Sequence, residues 1–555
     1  MVTTILSPCG ILGYGFPEAS LQKAMAQKPD AIIVDAGSTD AGPHKLGAGV
    51  AIVSRQAAGI DLKRLMTAAR EAGIPLIIGS AGGSGARKHT LWTMDIIEDI
   101  AREMNWQARV AVIYADIPID AVRRARDEGR IEKMSPNVPD LTDEALAQTH
   151  GIVAQMGVEP ILRALKEKPD IIVCGRAYDP APFAAFGILR GHDPALCQHL
   201  GKILECGALC AEPGTTKDVM LGRLDDTGFE VWPADDSRRC TLTSVAAHTF
   251  YEKDHPTMLH GPGVRLDLSQ CRFTQVSGGR IRVTGSRMLD TPYTIKLEEV
   301  RLAAYRTFVL AGIRDPLLIA CMDEVEREVV RSVDAYYGGL PAEVQINFYH
   351  YGKDAVMGSL EPTPVAGHEI GLMFEVIAPT QEMANAVCAS VRSTYLHYGY
   401  PGRKSTAGNL AFPFAPPQRC SLRAGLCLQR VSPHARGRSA GLLPHGNQGG
   451  GRMTRLCDMA RVLRSKNSGP FEVTLDILLP DEASYLRVLH SGLLTKENVA
   501  ALYHVPESWI CTLATMDAAY GIKITMLRSI SSGTVGDRDV YGAQQIAPLM
   551  NLMIP

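Results

Sequence analysis

A chain of 555 residues is long enough for several hydrophobic cores, since single domains mostly run to about 100–200 residues. Its 46% hydrophobic and 21% charged residues are ordinary for a globular protein, and a formal charge of −2 gives no global pull toward nucleic acid or an anionic membrane. No run reaches the roughly 18 apolar residues of a membrane span, residues 1–16 lack the basic region of a secretory signal, and thirteen scattered cysteines speak against a zinc framework or a disulfide scaffold.

Over residues 1–215, short apolar runs alternate with amphipathic stretches, the signature of βαβ units. A strand at 2–6 leads into a loop with Gly10, Gly13 and Gly15, then a helix at 18–27. A second strand at 31–34 ends in Asp35-Ala-Gly-Ser38-Thr39-Asp40. Helical spacing at 62–71 precedes a third strand at 75–79, whose loop carries Gly82, Gly83, Arg87 and Lys88 before a long helix at 90–104. A strand at 109–114, a helix at 119–128, a helix around 161–165 and a strand at 170–174 follow, the last ending in Arg176-Ala-Tyr178-Asp179-Pro180. The fold class expected is α/β, with a doubly wound, mostly parallel N-terminal sheet. Each polar, glycine-rich segment falls where a strand gives way to a helix, and open parallel sheets bind ligands at that edge. Helix N-termini there present unpaired N–H groups with partial positive charge.

Residues 216–415 change texture. Short strands at 219–224, 228–232, 264–268 and 279–284, helices at 300–311 and 322–335, strands at 343–349 and 369–377, and a helix at 381–393 predict a second, α+β lobe. Residues 416–452 hold six Arg and no Lys, Asp or Glu, which predicts an irregular linker. Residues 453–555 predict a small α+β domain: a helix at 455–463, a strand at 471–478, helices at 482–489 and 495–502, strands at 509–514 and 522–527, then a polar tail.

Four loops carry candidate chemistry. Asp35, Ser38, Thr39, Asp40 and His44 crowd carboxylates, hydroxyls and an imidazole around glycines, so Asp40 or Asp35 suits a general base or a divalent-metal ligand; helix capping is the alternative. The loop with Gly82, Gly83, Arg87 and Lys88 suits an anion, although no G-K-[ST] makes it a Walker loop. Gly10 and Gly13 stand in a GxxGxG spacing rather than GxGxxG, and Asp35 follows too closely, which argues against NAD; a ligand-facing turn remains. Arg176 has the fork to clamp a carboxylate, with Tyr178 beside it, and Asp179 either moves a proton or caps the next helix ahead of Pro180. Glu205, near a helix end, is a further proton carrier, and Cys206 is either a buried inert thiol or a nucleophile. The polar cluster His248, Tyr251, Lys253, Asp254, His255 and His260 lacks a nameable third zinc ligand, so no metal ligand is assigned and a divalent-metal cofactor stays open.

Gly37-Ser-Thr-Asp40-Ala-Gly42-Pro43, Cys174-Gly-Arg176, Glu205-Cys206-Gly-Ala and Gly408-Asn-Leu-Ala-Phe-Pro-Phe414, in this order and spacing, resemble the acyclic terpene utilisation family over about residues 3–414. Ser465-Lys-Asn-Ser-Gly469-Pro-Phe and Asp539-Val-Tyr541-Gly-Ala-Gln544-Gln545 resemble a small partner domain of uncharacterised function, usually a separate chain. The resemblance implies catabolism of branched or carboxylic substrates, often near acyl-CoA enzymes. It breaks after Phe414, where the acid-free stretch begins; either a natural linker or two reading frames joined out of phase would produce it.

These readings converge on a cytoplasmic lyase, of hydro-lyase type, or an isomerase acting on a small carboxylate or its acyl-CoA thioester. The alternatives are a hydrolase or transferase using Cys206 or Ser38, and a non-catalytic subunit. A homo-oligomer is expected, with the C-terminal domain packed on the main body and with neither nucleic acid nor membrane as partner.

Overall fold

The computed structural model describes residues 2–39, 42–363, 365–404, 407–413, 420–422 and 453–555. Its largest element is a nine-stranded sheet. Five parallel strands lie in the order Thr3–Ser7, Ala31–Asp35, Leu76–Gly79, Ile171–Cys174, Val110–Ile113. Three of them, AIIVD, LIIG and IIVC, are buried at every position. Continuous apolar runs of this kind belong to parallel strands covered on both faces. Helices Glu18–Met25, Arg55–Ala72 and Arg87–Glu103 supply the core on one face; helices Val158–Lys166, Ala181–Leu189 and Pro194–Leu204 supply it on the other. The expected doubly wound sheet is present.

Local chemistry sets the helix ends. Ser54 accepts a hydrogen bond from the Ala57 N–H at the start of Arg55–Ala72, and Gly73, at φ 65°, closes it in the left-handed conformation that suits glycine. Asp193 caps Pro194–Leu204 through the N–H groups of Ala195 and Leu196.

The sheet does not stop at residue 215. Met220–Leu224, Phe229–Pro233, Arg280–Thr284 and Arg272–Ser277 extend it antiparallel from the first strand, so a boundary at 215/216 cuts through one unit. The second lobe proper is a four-stranded antiparallel sheet, Gln345–Tyr351, Ile370–Ala378, Tyr305–Ile313 and Cys420–Leu422, packed on helices Pro316–Tyr336 and Gln381–His397. The helix expected at 300–311 is instead the end of one strand, Leu297–Arg301, and most of another, Tyr305–Ile313. Thr307, Val309 and Ala311 are buried while Arg306, Phe308 and Leu310 are not, a two-residue period that apolar content alone had masked. Of the Arg-rich stretch 416–452, residues 420–422 form a strand paired to Tyr305–Ile313, and the rest lies outside the described residues.

The C-terminal unit is a four-stranded antiparallel sheet in the order Val462–Asn467, Glu472–Leu478, Gly521–Leu527, Ile510–Met516. The helix expected at 455–463 is only Leu456–Met459, and the strand begins at Val462. One face of this sheet, with Val473, Leu475, Ile477, Ile522 and Ile524, packs on helices Glu482–His490 and Lys496–Leu502. The opposite face carries Thr474, Asp476, Lys523 and Thr525, all buried as well. The body covers them: the Lys523 ammonium lies 5.2 Å from the Phe250 ring, and the Thr525 hydroxyl donates to the Asp254 carbonyl at 2.7 Å. Arg461 pairs with Glu212 at 2.7 Å, Asn137 donates to the Arg528 carbonyl at 3.1 Å, and Arg538 donates to the Ala355 carbonyl at 2.9 Å.

Candidate functional site at the strand ends

The parallel strands end in line. Asp35 pairs in register with Gly79, Ile78 with Val173, and Ile113 with Cys174. The loops that follow are packed backbone to backbone: a Cβ on Gly37 would stand 2.2 Å from the Gly83 Cα, and one on Gly85 would stand 2.1 Å from the Arg176 nitrogen. Only glycine allows this approach. Three loops expected to converge, those after Asp35, Gly79 and Cys174, therefore meet at one edge.

At their junction lies a buried charged network. Arg176 is 2% exposed. Its Nε donates to Glu298 Oε2 at 3.0 Å and its Nη1 to Ser80 Oγ, the Ala177 carbonyl and Asp179 Oδ1 at 3.1, 2.7 and 2.9 Å. The guanidinium thus holds two carboxylates of its own chain rather than standing open for a substrate carboxylate. Burial works against its charge, but Glu298 and Asp179 more than compensate. Burial likewise opposes the charge of Glu298, yet Arg176 and Lys296 hold that carboxyl down at about 2. Asp179 does not cap the following helix; Pro180 occupies that position without a side-chain bond.

Asp35 is different. It is 4% exposed, and among the described residues its Oδ1 has no hydrogen-bond partner. Burial raises its pKa well above the usual carboxylate range, the nearby charges of Asp179 and Glu205 raise it further, and Arg176 only partly opposes them. An unpaired buried carboxyl oxygen is costly and rarely kept for packing alone.

Glu205 is the second such carboxyl, at the end of helix Pro194–Leu204. Burial raises it, the ammonium of Lys202 one turn back lowers it through a short hydrogen bond, and Asp179 and Glu252 add upward pressure; the outcome is a raised pKa. The Ser7 hydroxyl donates to the Leu204 carbonyl at 2.7 Å and fixes this helix end to the first strand. Cys206 next door is pushed well up by burial, Glu205 and Glu252, which keeps it a thiol and weighs against a nucleophilic thiolate. Tyr178 accepts a hydrogen bond from Lys253 at 3.3 Å, with the ammonium 4.8 Å from its ring.

Residues 251–253 close the cluster from the body side. Glu252 has φ 60° and Ser80 has φ 45°, left-handed conformations in non-glycine residues at one site. Such strain concentrates where function over-determines geometry. The C-terminal domain closes the other side. Lys466 forms an ion pair with Glu252 at 2.6 Å and lies 5.8 and 5.2 Å from the rings of Tyr251 and Tyr541; Arg464 lies 4.7 Å from the Tyr251 ring. Burial and the neighbouring Tyr541 raise the Tyr14 hydroxyl, whose loop reaches the same rim.

The other sequence candidates divide. Asp40 lies outside the described residues. Gly10 donates its N–H to the Thr216 carbonyl at 3.0 Å, and Gly13 and Gly15 donate theirs to the carboxylate of Asp61 at 2.8 and 3.0 Å, so this loop is braced internally. Ser38 and Thr39 are half-buried beside Asp35, and Gly82 and Gly83 are buried. Arg87 and Lys88 are exposed at the start of helix Arg87–Glu103, with the Arg87 guanidinium 4.1 Å from the Tyr114 ring. His248 is buried on the Ile203 carbonyl at 3.1 Å, and His255 accepts from Thr257 and Met258, so the 248–260 histidines do not gather as ligands. Among the described residues the one group spaced for a metal ion is Asp323, Glu326 and His350 in the second lobe, all paired by other side chains. Sequence reasoning missed Lys202, Glu252, Glu298 and Lys466. Lys466 carried a signal as part of the quoted motif, and Glu252 lies inside the polar cluster 248–260 but was passed over there; no local signal marked Lys202 or Glu298.

The site therefore defines a doubly wound α/β protein with a buried carboxyl cluster at its switch edge. Residues 56–415 match the model of the acyclic terpene utilisation family protein AtuA, and residues 456–553 match a domain of unknown function (DUF4387). The chain belongs to the acyclic terpene utilisation family, joined to that C-terminal domain, and the family's role is catabolic. No curated protein and no solved structure matches it. Among the described residues no helix is long and apolar enough to cross a membrane.

Proposed function

We propose that the chain is a catabolic enzyme that moves a proton next to the carbonyl of a small carboxylic acid or its acyl-CoA thioester, as a hydro-lyase or an isomerase. The observation that carries this reading is the pair Asp35 and Glu205. Both carboxyls are buried, both are raised, and one leaves an oxygen unpaired at the strand-end edge. A carboxyl whose pKa burial has raised holds its proton more readily and so suits a proton donor, and the same group returned to its anion is a base. Proton abstraction beside a carbonyl also needs a donor for the developing enolate oxygen. The Tyr178 hydroxyl, backed by the Lys253 ammonium, suits that role. Arg87 and Lys88, exposed at a helix start, suit the phosphates of a thioester's carrier. Arg176 serves as the post that holds Asp179 in place.

The test is a screen of the full chain on hydroxy-acids and acyl-CoA thioesters, with and without divalent metal, followed by Asp35→Asn. Turnover should drop by about 100-fold or more, the scale of a lost positioned proton transfer, with the unfolding midpoint kept. Full activity in a stably folded Asp35→Asn variant sinks the assignment.

A further inference from the structure

We infer that the candidate site is completed by the C-terminal domain, and that Lys466 is a positioning residue that holds Glu252 as the site's ionised carboxylate. The inference rests on the proton-transfer reading above and adds the second half of the acid–base pair. The strand Val462–Asn467 alternates, so Arg464 and Lys466 share the face turned to the body. Arg464 donates to the Ala247 carbonyl at 2.8 Å, and Lys466 meets Glu252 at 2.6 Å. Both partners of the latter pair are largely buried, with side chains 16% and 18% exposed, so solvent screens it weakly.

Glu252 has a left-handed backbone, φ 60°, and its carboxylate meets Lys466. The groups facing it are Lys466 from the C-terminal strand, Lys202, Glu205 and Cys206 from the helix end, and Tyr251 beside it. Burial alone would raise Glu252; Lys466 first, then Lys202, bring it below the usual carboxylate range. Glu205, on the other side of the same Lys202, is raised. Two neighbouring carboxyls pushed in opposite directions are the arrangement in which one carries the proton and the other takes it. Lys202 of the body acts on both carboxyls, whereas Lys466 of the C-terminal domain pairs, of these two carboxyls, with Glu252 alone.

Two measurements on the full chain decide the matter. The first is a double-mutant cycle on the unfolding midpoint with Lys466→Ala, Glu252→Gln and both together. The two losses should be clearly non-additive, because Glu252→Gln no longer breaks an ion pair once Lys466 is gone. An additive cycle overturns the pairing whatever the enzyme does. The second is the pH profile of kcat/KM. Lys466→Ala should move the acid limb up by about one pH unit or more, the size expected when a buried carboxylate loses an adjacent cation, and Lys466→Arg should return it toward the wild-type position. An unmoved acid limb in Lys466→Ala overturns the positioning role. A non-additive cycle in a chain that turns over no thioester or hydroxy-acid would instead sink the proposed function.

Discussion

Two buried charged clusters in this molecule invite comparison. In the second lobe, His350 sits between Glu326 at 2.8 Å and Asp354 at 3.1 Å, Tyr395 adds its hydroxyl to Glu326 at 3.2 Å, and Lys353 pairs with Asp323 at 2.6 Å. Each charge there faces an opposite charge. At the strand-end edge of the large sheet, Asp35 keeps an oxygen without a partner, three acids stand together, and two residues adopt left-handed backbone. Both clusters have buried polar members, Glu326 and His350 in one, Asp35 and Arg176 in the other. Burial raises a carboxyl in each, Glu326 in one and Asp35 in the other, but Glu326 is bonded by His350 and Tyr395, whereas Asp35 Oδ1 has no partner among the described residues. Buried polar groups that serve only the fold are as a rule fully paired, so the unpaired oxygen is the feature that sets the strand-end cluster apart.

The comparison can be broken in several ways. The largest effect on folding should come from Arg176→Met, which takes the cation from Asp179 and leaves Glu298 with Lys296 alone; a loss of about 3–5 kcal/mol in denaturant unfolding is expected for breaking a buried pair. A loss near zero would mean that the network does not hold the edge together. Next, Glu326→Gln and Asp35→Asn should move stability in opposite directions at pH 7. Glu326→Gln keeps an acceptor oxygen but removes the negative charge that faces His350, and should cost about 1–3 kcal/mol. Asp35 has a folded pKa above its unfolded one, so its favourable contribution is complete only below the unfolded pKa and fades as pH rises through the folded value. Asp35→Asn removes that penalty and should leave the protein equal or more stable. If both variants destabilise alike, the contrast between the clusters fails.

The smaller effect is in pH dependence. Burial opposes a charge on His350, but Glu326 and Asp354 win and raise it. Its contribution should be complete below the unfolded histidine pKa of about 6.5 and lost as pH rises through the folded one. The midpoint should therefore decline over that interval in the wild type and less so in His350→Gln. Smallest of all, Arg55→Ala removes exposed pairs with Asp95 and Asp99 and should not shift the midpoint measurably.

The large sheet was legible because its strands are unbroken apolar runs and its loops are glycine-rich, so Asp35, Arg176, Tyr178, Asp179 and Glu205 could be named from order alone. What sequence could not give was pairing across distance. Arg176 and Glu298 are 122 positions apart, and nothing local shows that the guanidinium is already occupied. Lys202 reads as the solvent side of a helix, yet it is 1% exposed because the helix is buried on all sides. In the C-terminal sheet the alternation of Thr474, Leu475, Asp476 and Ile477 is plain, but alternation predicts a solvated polar face. That this face is covered depends on a surface from residues 246–254, which local pattern does not reveal.

The seam between the two domains has one more property. A Cβ on Gly42, at φ 89°, would stand 2.8 Å from the Gly533 Cα, so here the two main chains touch with no side chain between them. Main chain against main chain works as a mechanical stop: it fixes how deep the smaller domain seats, independently of charge or salt. A single methyl group at either glycine acts as a wedge. Natural drift on the two surfaces can exchange charges, lengthen side chains and alter rims, but it cannot thicken Gly42 without pushing against the Gly533 backbone. At this point the seam is gauged by bare backbone.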